Sequence, residues 1–359
     1  MQVPESVKRM LAGEAPAVQA GPSHPAATGR LNSGWAEDQV PSQVPESVRR
    51  MLAGEQPAAA AAGCEILIKG GTIVDGTGGE PYVGDVAVTD GIISAIGDLS
   101  HMSGARTVDA TGHIVTPGFV DIHTHYDGQI TWDPLLSPST QHGVTTVMFG
   151  NCGVGFAPCK PEAREKLIEV LEGVEDIPGS ALHEGIQWSW ESFPEYLDTL
   201  SVNATACDFA VLLPHVPLRV YVMGDRCDEA PTQEDLDHMR FLAGEAMEAG
   251  AIGLSTSRTL LHRDLNGTVI PGTYADRAEL TALMAGMADG GGGLFEILED
   301  FADLDVEQDW LSKLSQNFGI PVSFAFAAGN KERQLEFNDF LDRVSFLQVF
   351  YDWFSIGEW

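Results

Sequence analysis

Positive charge is scarce in this chain: 20 Lys and Arg stand against 52 Asp and Glu in 359 residues, a formal net charge of −32. A field of that sign repels phosphate backbones, so nucleic acid is not an expected partner. Cysteine is also sparse. Five residues (64, 152, 159, 207 and 227), odd in number and widely scattered, do not suggest a disulfide framework and favour a reducing compartment. No apolar run reaches the length of a membrane span, and the start lacks the apolar stretch of a secretory signal. A cytoplasmic protein with no membrane partner is the expectation.

Hydrophobic residues make up 44% of the chain, enough to bury a sizeable domain core. The charge is unevenly placed. Residues 1–62 carry five basic and six acidic side chains, net −1, which leaves −31 to residues 63–359. The head also repeats itself: QVPESVKRMLAGE at 2–14 recurs as QVPESVRRMLAGE at 43–55, with only Lys8 against Arg49 differing. Each copy has Pro near its start, Gly near its end, and an apolar stripe (Val3, Val7, Met10, Leu11; Val44, Val48, Met51, Leu52) at helical spacing. Ala/Pro/Gly-rich linkers surround them. Helices this short are marginal alone. Two readings stand: a pair of nascent helices left by duplication, or a bivalent peptide docking a protein partner.

From Cys64 the texture changes to β-rich runs punctuated by Gly and Asp: ILIKGG, TIVDG, DVAVTDG, IISAIG. Hairpins without intervening helices predict a small antiparallel β module of sandwich type over 63–116. After Pro117 strands alternate with helices. Candidate strands are 118–125, 144–151, 208–215, 251–257, 293–298 and 322–328. The clearest helix is 232–250, with Leu236, Met239, Ala243, Ala246 and Met247 on one face. This pattern predicts an α/β fold, an incomplete (β/α)8 TIM-type barrel of about six strands over 117–344. The last stretch, 345–359, packs six aromatics into its fifteen residues and reads as a divergent end.

Side chains two apart on a strand share a face. Asp121, His123 and His125 in FVDIHTH should therefore project together, and two imidazoles at a strand's carboxyl end suit a divalent ion at a barrel mouth. Cys152, in GNCGVG just past the second strand, is either a small buried hydrophobe or a thiolate ligand in the same mouth. Cys64, Cys159, Cys207 and Cys227 have no such setting and are expected to be structural. His215 ends the third strand as a candidate substrate contact or a capped core histidine. Ser255, Ser257 and Arg258 end the fourth. Arg258 could fork onto a substrate carboxylate, or simply form a surface ion pair.

Taken together, IKGGTIVDGTG, TPGFVDIHTHYD, HGVTTVMFGNCGVGFAP, PHVPLRVYVMG and GAIGLSTSRTLLHR resemble the amidohydrolase superfamily, in particular its D-aminoacylase and N-acyl-D-amino-acid deacylase branch. The resemblance covers about residues 64–344. It implies that His123, His125 and Cys152 are metal ligands, that the metal is zinc, and that metal-activated water cleaves the C–N amide bond of N-acyl amino acids. His215, Ser257 and Arg258 are then the substrate-side candidates. The family's better-known members carry one ligand histidine after each of strands five and six, but GLFEILEDF and VSFAFAAGN contain none. Glu296 or Glu299 is either an oxygen substitute or ordinary surface charge. A substrate-side tyrosine of the family is replaced around LLH (260–262). The family's proton-shuttling aspartate at the eighth strand has no counterpart before Trp359. The catalytic acid–base is therefore unassigned, and a chain that is truncated, inactive alone and self-associating is expected. Two other readings accompany the deacylase: a cyclic-amide hydrolase of the hydantoinase and dihydroorotase kind, which needs a bridging carboxylated lysine, and a catalytically dead barrel acting as an interaction protein through its duplicated head.

Overall fold

The computed structural model describes residues 63–300, 304–327 and 351–354. The duplicated head and most of the divergent end, with the expectations attached to them, lie outside the described residues. The chain divides into two units, Met1–Pro117 and Gly118–Trp359.

In the first unit, β1 (Gly63–Ile73), β2 (Tyr82–Thr89), β3 (Ile92–Gly97), β4 (Ser103–Asp109) and β5 (Ile114–Val115) form one five-stranded sheet in the order β3-β2-β1-β4, with β5 also on β1. The sheet is mixed, which corrects the antiparallel sandwich expectation. The β1–β2 and β2–β3 pairs are antiparallel, but β1 runs parallel to β4 and β5. Asp85 holds the hairpin to its neighbours by accepting from Gly70 N at 2.9 Å and Leu99 N at 3.2 Å. Alternating side chains bury a small core of Cys64, Leu67, Ala87, Leu99 and Met102.

The second unit is an open parallel sheet of seven strands: β6 (Phe119–Asp121), β7 (Val144–Phe149), β8 (Asp208–Pro214), β9 (Gly253–Arg258), β10 (Leu294–Glu299), β11 (Val322–Ala327) and β12 (Tyr351–Phe354). Each strand neighbours the next in sequence, and every pair is parallel. The six anticipated strands are present. The seventh, β12, lies inside the stretch expected to diverge and pairs with β11 from Phe324↔Tyr351 to Ala327↔Phe354. Helices fill the crossovers: α1 (Arg164–Glu175), α2 (Gly179–Gly185) and α3 (Phe193–Ser201) between β7 and β8, α4 (His215–Met223) and α5 (Gln233–Ala249) before β9, then α6 (Arg277–Asp289) and α7 (Leu304–Phe318). No helix among the described residues is long and apolar enough to cross a membrane.

Covered sheets need strands that are apolar on both faces, and β8 supplies one: Val211, Leu212 and Leu213 are all buried. α5 begins with a reciprocal cap between Thr232 and Asp235 and buries Met239, Ala243, Ala246 and Met247, close to the predicted face. It meets α6 through glycines. A Cβ at Gly286 would stand 2.2 Å from Arg240 O, so these backbones touch where no larger residue fits. The chemistry-bearing side chains gather beyond the carboxyl ends of β6 and β7.

Candidate metal centre

β6 ends at Asp121, so His123 and His125 stand on the irregular segment beyond it rather than on the strand itself. That segment is fastened to β7. Thr124 donates from both N (2.9 Å) and Oγ1 (2.8 Å) to Met148 O, and Asn151 Nδ2 donates to Thr124 O at 3.1 Å. The two imidazoles lie with ring centroids 5.4 Å apart. Just past β7 the backbone turns sharply through Gly150, Asn151, Cys152 and Gly153, with Cys152 at φ 55°. The turn is held from across the sheet: Cys152 N donates to Glu296 Oε2 at 2.9 Å, Gly153 N to Ser255 Oγ at 2.9 Å, and Ser255 Oγ to Gly150 O. This places Cys152 Sγ 3.1 Å from His123 Nε2.

Two further residues enter the cluster. Glu175, the last residue of α1, brings Oε1 to 3.2 Å from His125 Nε2. His262, on the loop after β9, is oriented by a 2.9 Å hydrogen bond between its Nδ1 and Ser257 Oγ. One ligand atom from each of His123, His125 and Cys152 lies within 4.8 Å of the others, and the same is true of Cys152, Glu175 and His262.

Burial pushes His125 down to about 3, helped by the nearby His123 and His262. His262 is lowered to about 4, by burial first and His123 second. Burial, and then Asp176, raises Glu175 to about 7. Burial keeps the His125 and His262 imidazoles neutral, and with His123, a buried thiol and a half-buried carboxyl beside them they are donors suited to a divalent ion of borderline softness. His125 Nδ1 is buried with no hydrogen-bond partner, a further sign that the polar inventory is incomplete without a bound group. These residues fit a metal ion.

The other anticipated residues are placed differently. His215 is 1% exposed, and both ring nitrogens are engaged: Nδ1 with Thr256 Oγ1 at 2.8 Å and Nε2 with Glu279 Oε1 at 2.9 Å. Arg219 also pairs with Glu279. His215 thus belongs to a buried network with Glu279 and Arg219. Arg258 donates to Ala275 O, lies 3.5 Å from Glu299 and sits over the Trp310 ring, so its fork is turned to protein groups. Ser257 serves His262. Glu296 grips the Cys152 amide and Glu299 pairs with Arg258. The carboxylate that reaches the cluster is instead Glu175, which the sequence did not single out. Its position at a helix end 23 residues past Cys152 leaves no local signal. His262 falls in the LLH stretch (260–262) where the family's tyrosine is replaced. All five cysteines are buried and unbridged.

In parallel α/β barrels the functional side chains gather at the carboxyl ends of the strands, and the His/Cys cluster lies just beyond them here. A match to the amidohydrolase family spans residues 106–357, and the chain belongs to that family. It is 38% identical over 192 residues to D-aminoacylase of Alcaligenes xylosoxydans xylosoxydans, covering 54% of this chain and 37% of that protein. N-acyl-D-glutamate deacylase of the same organism is 34% identical over 219 residues, covering 61% and 40%. Among solved structures, D-aminoacylase superposes with TM-score 0.66 at 27% identity, covering 80% of this chain and 58% of that one. N-acyl-D-glutamate deacylase of Bordetella bronchiseptica, complexed with zinc and a phosphonate inhibitor, superposes with TM-score 0.64 at the same identity and coverage. The chain thus spans well under half the length of these curated relatives.

Proposed function

We propose that this protein is a metal-dependent amidohydrolase that cleaves the C–N amide bond of N-acyl amino acids, the D-series included, with zinc as the ion. The observation that carries the reading is the convergence of His123, His125 and Cys152 just beyond the carboxyl ends of two neighbouring parallel strands, His123 and Cys152 being 29 residues apart in sequence. A divalent ion there supplies Lewis acidity toward an amide carbonyl and lowers the pKa of water from about 15.7 towards 7.

The chain's own residues supply the rest. His123, His125 and Cys152 would hold the ion. Glu296 fixes the peptide that carries the thiol, and Thr124 and Asn151 hold the two imidazoles in place. The relatives named for N-acyl-D-glutamate and D-amino acid substrates support an acylated amino acid. The cyclic-amide alternative gains nothing from the geometry: Lys160, the lysine that follows Cys152, lies 4.8 Å over the Tyr221 ring.

The test is hydrolysis of N-acetyl-D-amino acids, with hydantoin alongside, by the 359-residue chain before and after zinc loading. Zinc-dependent release of the free amino acid is expected. His123→Ala and Cys152→Ala should lose more than the roughly 10- to 100-fold typical of residues that merely support a ligand. Stoichiometric zinc without amide turnover would instead leave the non-catalytic interaction protein standing.

A further inference from the structure

We propose that Lys166 and Cys227 form a modification site, at which a small neutral peroxide oxidises the thiol and the lysine amine captures the product as a reversible S–N bridge. Neither residue belongs to the metal cluster, and the inference does not depend on an ion there.

The first support is the contact itself. Lys166, in the first turn of α1, places Nζ 2.9 Å from Cys227 Sγ, across 61 residues of sequence. Other thiols of the chain are engaged differently: Cys64 Sγ donates to Ser103 O and Cys159 Sγ to Lys160 O. The Cys227 sulfur instead accepts from an ammonium. A cation beside a cysteine favours the thiolate, which is the form a peroxide oxidises. Burial alone would lower the Lys166 pKa, but the hydrogen bond and charge of Cys227, with Asp228 and Asp225, outweigh it and raise it. The lysine therefore holds a proton that it can give up beside the sulfur.

The second support is how the two partners are held and reached. Cys227 N donates to Gly224 O at 3.1 Å and its carbonyl accepts from Arg219 Nε at 2.6 Å, so the peptide bearing the thiol is fixed. Lys166 is the adaptable partner: its side chain is 40% exposed, and its ion pair with Asp228, at 3.8 Å, is screened by solvent. Cys227 is shut off from bulk solvent but borders a cavity of about 400 Å³ shared with Arg219, Asp228, Glu229, Ile270 and Pro271. Acidic walls repel an anionic thiol reagent but not a small neutral oxidant. That favours a bridge within the chain over a mixed disulfide.

With hydrogen peroxide as the oxidant, atoms and electrons balance. The thiolate attacks one peroxide oxygen, the O–O bond breaks, and the sulfur, giving up two electrons, becomes a sulfenic acid. The other oxygen leaves as hydroxide and takes the Lys166 proton to become water, which frees the amine. The amine lone pair then attacks the sulfur. An S–N bond forms, the S–O bond breaks, and the departing hydroxide leaves as water with a proton from nitrogen. Sulfenic acids condense in this way with backbone nitrogen, and here a side-chain nitrogen is already in place. Two equivalents of a thiol reverse the step, restoring the Cys227 thiol and the amine and leaving as a disulfide. The bridge ties the start of α1, whose last residue is Glu175, to the turn after α4.

The test treats the reduced 359-residue chain, supplied with zinc to shield Cys152, with hydrogen peroxide and follows it by mass spectrometry of its peptides. A peptide pair joined through Lys166 and Cys227, lighter than the sum of its parts by two hydrogens, is expected, and dithiothreitol should abolish it. Protein unfolded in urea before the peroxide should give no such pair. Lys166→Arg keeps a cation at the sulfur but removes the nucleophilic amine. In that variant the bridge should be lost and a sulfenic acid on Cys227 should become trappable by dimedone. The proposal is overturned if Cys227 stays reduced, if its sulfenic acid persists in the wild-type chain uncaptured by Lys166, or if folded and unfolded chains bridge equally. A joined pair that carries an extra oxygen would likewise overturn the S–N step, in favour of an N–O–S linkage.

Discussion

Cys152 sits at φ 55°, in a region that side chains other than glycine and asparagine seldom occupy. Strain of this kind costs about 1–3 kcal/mol and persists only where the surroundings impose it. Here they do: the amides of Cys152 and Gly153 are anchored to Glu296 on β10 and Ser255 on β9. The strain aims the thiol at His123. Removing the side chain beyond Cβ and then Cβ itself separates strain from chemistry. Cys152→Gly and Cys152→Ala should both lose metal uptake, yet the glycine variant should be more stable than the alanine variant by about 1 kcal/mol. That reverses the usual order of the two residues, and urea midpoints of the metal-free proteins decide it. Greater stability for the alanine variant would mean the turn is not strained. At this scale local spacing and a glycine setting mark His123, His125 and Cys152 as candidates, and the structure brings their ligand atoms within 4.8 Å of one another. Glu175 and His262 reach the same neighbourhood with no local signal, because only tertiary packing brings a helix end and a loop to the thiol.

Among the elements, the parallel strands and α5 were legible from periodicity alone, since burial on both faces of a sheet and on one face of a helix imposes its own repeat. The mixed character of the first sheet was not legible, because β4 and β5 join β1 only after an intervening hairpin. His215 shows the same limit. It ends β8 as a site residue would, but its partner Glu279 lies 64 residues on, in α6, and Arg219 lies one helical turn ahead in α4. The three side chains bind α4 to α6 through buried charge. Burial alone would push the Glu279 carboxyl up, but the His215 hydrogen bond and charge, with those of Arg219, outweigh it and hold it at about 2. Breaking a buried pair strands the remaining charge. Glu279→Gln is therefore expected to cost about 3–5 kcal/mol in chemical denaturation, while metal affinity at the separate cluster changes little. A loss below about 1 kcal/mol would show that Arg219 finds another partner and that the network is not what joins these helices.

For the whole molecule, the excess of acid sets the solution behaviour. With 52 acidic and 20 basic side chains, and −31 of the charge on residues 63–359, the folded state works against its own repulsion. Exposed pairs such as Arg240–Asp289 and Lys313–Asp309 offset little of this, because solvent and salt screen them. Salt shortens the screening length from about 30 Å at 0.01 M to about 8 Å at 0.15 M. It should weaken the long-range repulsion more than the short contacts, so Tm of the metal-free protein is expected to rise across that range. A Tm that falls with salt would mean the surface pairs outweigh the net charge. Acid acts in two opposed ways. Lowering the pH from 7 towards the sequence pI of about 4.4 discharges the surface and should at first stabilise. The Glu279 pair works in the other direction: its folded pKa lies below the ordinary value of 4.5, so its contribution is present above that value and is lost as pH falls towards about 2. Stability should therefore peak between these regimes, near pH 5, and drop steeply below 4. In Glu279→Gln the decline below 4 should be shallower than in wild type. Parallel declines in the two proteins would assign acid unfolding to other carboxylates.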